Sequence, residues 1–282
     1  MISEMKPKVL DCFPYFNEDM ILDLRFNILN DFVDYFIIVE AKHNHRGKAK
    51  PLNFNLNNFE KFKHKIIYLI NENINENPIK QNYNIKAKHE SLQRENNQRN
   101  TLIQAIDKFD DEDYVIISDA DEIPSPNAIE EFKKKKKKYG LCSQKFSYYK
   151  FNLVNKHRRK WMGSKMCKKK FLSSPQFLRN ISGPRFWDIK KKYFSDIVVL
   201  KNGGWHFSFM NSPEKIKLKI QSYTHKEYDN NEIANLDNIK RKIEDKKDIF
   251  NRDIKLKKES LDSSYPEYLI KNHIKYKNYL LD

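Results

Sequence analysis

Three carboxylates, Asp119, Asp121 and Glu122, fall within four positions directly behind the apolar run Tyr114-Val-Ile-Ile. Such a run reads as a buried strand of a largely parallel sheet. Open α/β sheets bind their ligands beyond the carboxyl ends of the strands. Side chains alternate along a strand, so Asp119 and Asp121 are expected on one side of an extended chain that Pro124 stops. Two oxygen donors on one face suit a hard divalent cation, Mn²⁺ or Mg²⁺, with positions left open for a substrate phosphate. Asp-x-Asp also occurs in ordinary turns, where Asp bends and caps the chain. It is the strand in front that points to a cation.

Other groups could serve the same chemistry. Ahead of this strand, the i,i+4 spacing of Arg94 and Gln98 puts both on one helix face, with Arg99 beside them. Guanidinium groups pair readily with a diphosphate, although an exposed, salt-bridged face has the same spacing. Downstream, Asn202-Gly-Gly-Trp205-His206 reads as a sharp turn presenting an indole and an imidazole side by side; a lone histidine is also an ordinary core residue. Ser212-Pro-Glu214 has the N-cap, proline and first-turn acid of a helix start, which gives Glu214 a structural reading beside a catalytic one.

These residues need elements to position them. Lys8 to Phe13 reads as a first strand, Met20 to Asn30 as a helix, and Val33 to Val39 as a second strand ending at Glu40. Ile66 to Leu69 is a third strand, and a helix from about Lys88 to Phe109 precedes the Tyr114 strand. That order matches one half of an α/β nucleotide-binding fold. Residues 1–210 are expected to form the catalytic domain, and 211–282 a helical region packed on it.

The net charge is +16 over 282 residues, yet the stretch from Glu131 to Lys170 holds sixteen Lys or Arg and one acid. The rest of the chain is close to neutral, so basicity belongs to one insert-like segment. Lys133 to Lys138 read as the solvated end of a helix begun at Pro126. No nucleic-acid signature accompanies them, which argues against a nucleic-acid partner. The segment remains a candidate contact for an anionic membrane surface. Three cysteines without paired spacing argue against a disulfide framework or structural zinc and fit a reducing compartment. With no stretch of about 18 apolar residues and no basic-then-apolar start, a cytoplasmic protein without a transmembrane segment is expected.

Taken in order, several blocks resemble glycosyltransferase family 17. They are Asp11-Cys-Phe-Pro-Tyr-Phe-Asn-Glu18, the helix with Asp23 and Arg25, Phe36-Ile-Ile-Val-Glu40, and Arg94 to Asn100. Ile116-Ile-Ser-Asp-Ala-Asp-Glu-Ile-Pro124, Gly204-Trp-His-Phe-Ser208 and Tyr268-Leu-Ile-Lys-Asn272 complete the set. The resemblance runs from about Lys8 to the C-terminus. It implies a GT-A-like α/β fold, a UDP-sugar donor such as UDP-N-acetylglucosamine, Mn²⁺ or Mg²⁺, and inversion at the anomeric carbon. The lysine-rich segment and the lack of an anchor favour a lipid-linked or polysaccharide-precursor acceptor over an N-glycan.

Under that resemblance Asp121 is expected to ligate the metal, and Asp119 to hold the donor ribose or a metal-bound water, or to join as a ligand. His206 is a further ligand or diphosphate contact, and Arg94 and Arg99 contact the diphosphate. Glu40, with Asn17 or Glu18, would border the uridine, and Trp205 would stack on the acceptor sugar. Glu122, Asp188 and Glu214 are alternative general bases. Two other classes share some of these features. A metal-dependent nucleotidyltransferase or phosphodiesterase would also use paired carboxylates, and a polyanion-binding protein would use the basic segment.

Overall fold

A computed structural model describes residues 6–72, 83–156, 160–183, 195–222, 233–252 and 254–281, with 83–89 described as backbone alone. Four apolar runs become the parallel heart of the sheet. The chain opens with β1 (Val9–Pro14), α1 (Asp19–Leu29), β2 (Tyr35–Ala41) and β3 (Ile66–Asn71). It continues through α2 (Tyr83–Asn100), the short α3 (Ile103–Ile106) and β4 (Tyr114–Ile117). These strands lie side by side in the order β3-β2-β1-β4, all parallel. Period-two alternation divides their side chains between two cores. Val9, Phe13 and Ile116 face the cluster built on α1; Leu10, Cys12, Val115 and Ile117 face the one built on α3.

Next come β5 (Glu122–Pro124), α4 (Pro126–Lys134), β6 (Tyr139–Tyr148), β7 (Leu153–Asn155) and β8 (Trp161–Lys168). They are followed by α5 (Pro175–Asn180) and β9 (Ile197–Ser208). β8 runs antiparallel between β4 and β6, while β9 runs parallel to β6 and antiparallel to β5. The basic segment is therefore no insert: it supplies β6, β7 and β8 of the sheet. Apart from Lys165, which is buried and donates to the Arg179 and Ile181 carbonyls, its described lysines lie at least partly exposed, and several are neutralised. Lys133 pairs with Glu130, Lys138 with Asp196, and Lys168 and Lys170 with Glu112.

The C-terminal part contains α6 (Pro213–Ser222), α7 (Leu236–Glu244), β10 (Leu256–Lys258) and α8 (Glu267–Lys271). The expectation of a helical region needs one amendment, because β10 pairs with β7 and extends the sheet. Ile216 and Ile220 of α6 and Ile239 of α7 pack on Tyr148, Tyr149 and Leu153. The segment after α8 lies on α1, where the Tyr276 hydroxyl donates to Asp23 at 2.6 Å. The fold is thus a mixed α/β sheet with helices packed on it. Among the described residues no helix is long and apolar enough to cross a membrane.

Candidate active site

The acidic stretch is not one strand. β4 stops at Ile117 and the chain turns through Ser118 to Asp121 before β5 begins. Pro124 is the last residue of β5, where a strand tolerates the missing donor. One side chain from α1 holds this turn. Arg25, fully buried, binds Asp11 through Nε at 2.7 Å and Nη2 at 2.5 Å. Its Nη1 reaches the carbonyls of Asp119, Ala120 and Glu122 at 3.0 to 3.1 Å, and its Nη2 the Ser118 hydroxyl at 2.6 Å. The guanidinium thus shapes the turn through its backbone, so the two aspartates owe their placement to a loop.

Asp119 and Asp121 both border a cavity of about 400 Å³ at the carboxyl ends of the parallel strands, but they face different partners. The Asp119 oxygens accept from Arg99 Nη2 at 2.9 Å and Arg179 Nη2 at 2.8 Å. Burial alone would raise this carboxyl, yet Arg179 and Arg99 outweigh it and hold it well below the usual carboxylate range. Arg179 comes from α5, which docks on the end of α2 where the Gln176 N–H donates to Asn100 at 2.9 Å. It also grips Glu122 at 2.7 and 2.9 Å. Asp121 faces His206 Nε2 at 3.6 Å and Lys219 Nζ at 3.4 Å. The same ammonium lies 3.3 Å from Glu18, whose carboxyl burial pushes up to about 7 against the pull of Lys219.

Trp205 and His206 are neighbours in β9, where alternation sends them to opposite faces. The expected sharp turn is absent; the two glycines serve close approach of three strands. A Cβ on Gly204 would lie 2.1 Å from the Ile123 carbonyl oxygen, and one on Gly203 2.6 Å from Cys142 Cα. Trp205 points into the core, its indole N–H donating to the Ser264 carbonyl at 2.8 Å. Its expected stacking on an acceptor is corrected accordingly, since the ring does not border the cavity. His206 does border it, stacked on Phe146 at 4.6 Å and Trp161 at 4.6 Å between ring centres. Burial lowers the His206 pKa, which keeps the imidazole neutral with a lone pair to offer.

The cavity is lined by polar groups, among them Glu18, Arg99, Asp119, Asp121, His206 and Lys219, and by the rings of Phe146, Tyr148, Trp161, Phe209 and Phe250. Several expected residues lie elsewhere. Glu40 is fully buried and accepts from Lys50 Nζ, the backbone N–H groups of Asn53 and Phe54, and the Tyr68 hydroxyl. It anchors residues 50–54 instead of bordering a base. Arg94 donates to the His45 carbonyl at 3.2 Å and pairs with Glu90, so it braces a loop whose residues His43 to His45 line the cavity. Asn17 adopts a left-handed φ of 64° between the cavity residues Phe16 and Glu18.

Glu122, fully buried, is engaged by Arg179, the Asp119 N–H and the Trp161 indole, and Glu214 is exposed at the start of α6. The Glu214 carboxyl is held low by its own backbone N–H and the Ser212 hydroxyl. Neither carboxylate faces the cavity as a base. Asp188 lies outside the described residues. Sequence reasoning missed Trp161, Arg179 and Lys219; Arg179 and Lys219 each follow a readable Ser-Pro helix start, Ser174-Pro175 and Ser212-Pro213, but nothing in those signals aims either side chain at the site.

Among the described residues no group of three His, Cys, Asp or Glu side chains already converges as a metal cage. The donor types that a divalent cation takes come nearest to one another around an ammonium. The Lys219 ammonium stands as a cation between Glu18 and Asp121, with His206 beside Asp121. Two carboxylates and an imidazole are donor types that suit Mn²⁺, and here the ammonium takes the place between the carboxylates. Both Asp119 oxygens accept from guanidinium groups, one from Arg99 and one from Arg179.

Comparison with curated proteins finds none that matches. The profile of glycosyltransferase family 17 matches residues 1–173, which carry Glu18, Arg99, Asp119, Asp121 and Trp161 of this cavity, while Arg179, His206 and Lys219 lie beyond the match. The chain belongs to glycosyltransferase family 17 and is a transferase that moves sugar from a donor to a glycan acceptor.

Proposed function

We propose that the chain transfers N-acetylglucosamine from UDP-N-acetylglucosamine to a hydroxyl of a lipid-linked or polysaccharide-precursor glycan, with inversion and with the help of Mn²⁺ or Mg²⁺. The observation that carries this is the lining of one cavity at the strand ends, where charged groups of both signs meet a cluster of aromatic rings. A sugar diphosphate calls for both kinds of group, with its anionic end and the apolar face of its sugar ring.

The roles follow from placement. Arg99 and Lys219 meet the diphosphate, Arg99 already fixed by Asp119 and Glu95. Positive charge fixed where negative charge develops lowers the barrier to departure of the nucleotide. Asp121, Glu18 and His206 would hold the divalent cation, which when bound supplies further charge for the leaving diphosphate. Asp119 acts through Arg99 and Arg179, keeping both guanidinium groups in place. The exposed lysines 134 to 138 suit a cytoplasmic reaction beside an anionic lipid surface, where a lipid-linked acceptor would lie.

The test is donor turnover by purified protein across UDP-, GDP- and CMP-sugars, with and without Mn²⁺, followed by chromatography of the released nucleotide. UDP release from UDP-N-acetylglucosamine, dependent on Mn²⁺ and lost in Asp121→Asn, is the expected result. Turnover independent of the sugar, or full activity of Asp121→Asn with Mn²⁺ present, would overturn the reading.

A further inference from the structure

We infer that Trp161, and not Trp205, is the platform on which a pyranose ring stacks in this cavity. The inference rests on the glycosyl-transfer reading above and adds to it the residue that recognises the sugar ring itself. Trp161 is the first residue of β8 and borders the cavity. It is 36% exposed, whereas Trp205 is 9% exposed and turned into the core. A large aromatic ring left partly open inside a cavity forgoes burial that a core position would give, and such a surface marks a binding site.

Its orientation is fixed. The indole N–H donates to Glu122 Oε1 at 2.6 Å, and Glu122 is itself held by Arg179 and by the Asp119 N–H. The ring also packs on His206, with centres 4.6 Å apart at 35°, and on Phe146 at 5.5 Å. One carboxylate thus fixes both the indole and the backbone of the acidic turn. A sugar lying on the ring is held at a set position relative to Asp121 and Lys219. An indole suits this role because its apolar body meets the C–H face of a pyranose while its polar edge stays satisfied.

The ring could belong to the transferred sugar or to the acceptor, and one experiment separates them. Wild type, Trp161→Ala and Trp161→Phe are titrated calorimetrically with UDP and with UDP-N-acetylglucosamine in Mn²⁺. In parallel, N,N′-diacetylchitobiose and mannotriose are tested by saturation-transfer NMR without nucleotide. Melting temperatures check that the variants fold. If the transferred sugar stacks, Trp161→Ala binds UDP-N-acetylglucosamine about tenfold more weakly while UDP is unchanged, and Trp161→Phe falls between. If the acceptor stacks, nucleotide-sugar affinity is unchanged and the saccharide signal of the wild type disappears in Trp161→Ala. Affinity for UDP-N-acetylglucosamine in Trp161→Ala equal to that of wild type, together with saccharide signals no weaker than in wild type, overturns the inference. Failure of the wild type to bind any UDP-sugar would instead count against the functional reading, and the saccharide arm still decides the role of Trp161.

Discussion

The buried guanidinium of Arg25 and the backbone carbonyl of Asp119 meet at 3.1 Å, across 94 residues of sequence. The contact ties α1 to the turn that carries both aspartates of the site. Arg25 also forms a fully buried ion pair with Asp11. Removing one member of such a pair leaves the other charged and unpartnered, which costs roughly 3 to 5 kcal/mol. Arg25→Met is therefore expected to lower stability by about that amount in urea unfolding. Arg25→Lys should recover only part of it, because an ammonium cannot reproduce the fork that spans Asp11 and three carbonyls. Stability unchanged in Arg25→Met would refute the anchoring role.

A second prediction concerns Lys219. Its ammonium lies between Glu18 and Asp121, where a divalent cation would have to enter. A divalent ion and an ammonium about 4 Å apart repel by roughly 2 to 8 kcal/mol depending on local polarisability, part of which a flexible lysine relieves by moving aside. Lys219→Met should thus bind Mn²⁺ roughly tenfold more tightly in the absence of nucleotide. UDP affinity in saturating Mn²⁺ should fall, because the same ammonium is expected to meet the diphosphate. Calorimetric titration reads both. Mn²⁺ affinity equal to or below that of wild type would show that the ammonium does not occupy the cation position.

Much of this arrangement was legible in the sequence, and the misses have physical causes. The apolar runs at Val9, Tyr35 and Tyr114 are almost wholly buried, and together with the half-buried edge run at Ile66 they declare themselves as strands wherever they fall. Asp119 and Asp121 do border the cavity, but a turn, not a strand face, presents them. Trp205 and His206 misled because two glycines signal a turn more often than a strand. Here β9 is squeezed between β5 and β6, and only glycine fits. Arg179 and Lys219 reach the site through tertiary docking of α5 and α6, and no local pattern separates Lys219 from Lys215 and Lys217 on its helix. The lysine-rich stretch looked like an insert because its charges hide the buried faces of β6 and β8.

Glu18 should leave a signature in the pH dependence of stability, measured in chelator. Burial raises its carboxyl from 4.5 to about 7, with Asp121 adding to the rise and Lys219 opposing it. Between those values the folded chain keeps a proton that the unfolded chain releases. Stability is therefore favoured below pH 4.5 and is lost as pH rises toward 7. Glu18→Gln has no such proton to lose. Its stability relative to wild type should climb across this window, by something on the order of 3 kcal/mol at most. Urea unfolding of both proteins from pH 5 to 8 gives the difference directly; a flat difference would mean that the Glu18 carboxyl is not raised.

Gly204 provides the most local test of how the site is built. Its φ of +132° is one that side-chain-bearing residues rarely adopt, and a Cβ there would overlap the Ile123 carbonyl oxygen and approach the Ser125 nitrogen at 2.7 Å. Both atoms belong to backbone, so neither can swing aside as a side chain would. Gly204→Ala must push β9 away from β5, at a cost of roughly 2 kcal/mol or more in stability. The displacement falls on the pairing that sets His206 opposite Glu122. Mn²⁺ affinity in Gly204→Ala should then fall along with stability, whereas Gly183→Ala, where the nearest atom is 3.9 Å away, should leave both nearly unchanged. Normal Mn²⁺ binding in a destabilised Gly204→Ala would separate the strand pairing from the cation position and remove His206 from its donor set.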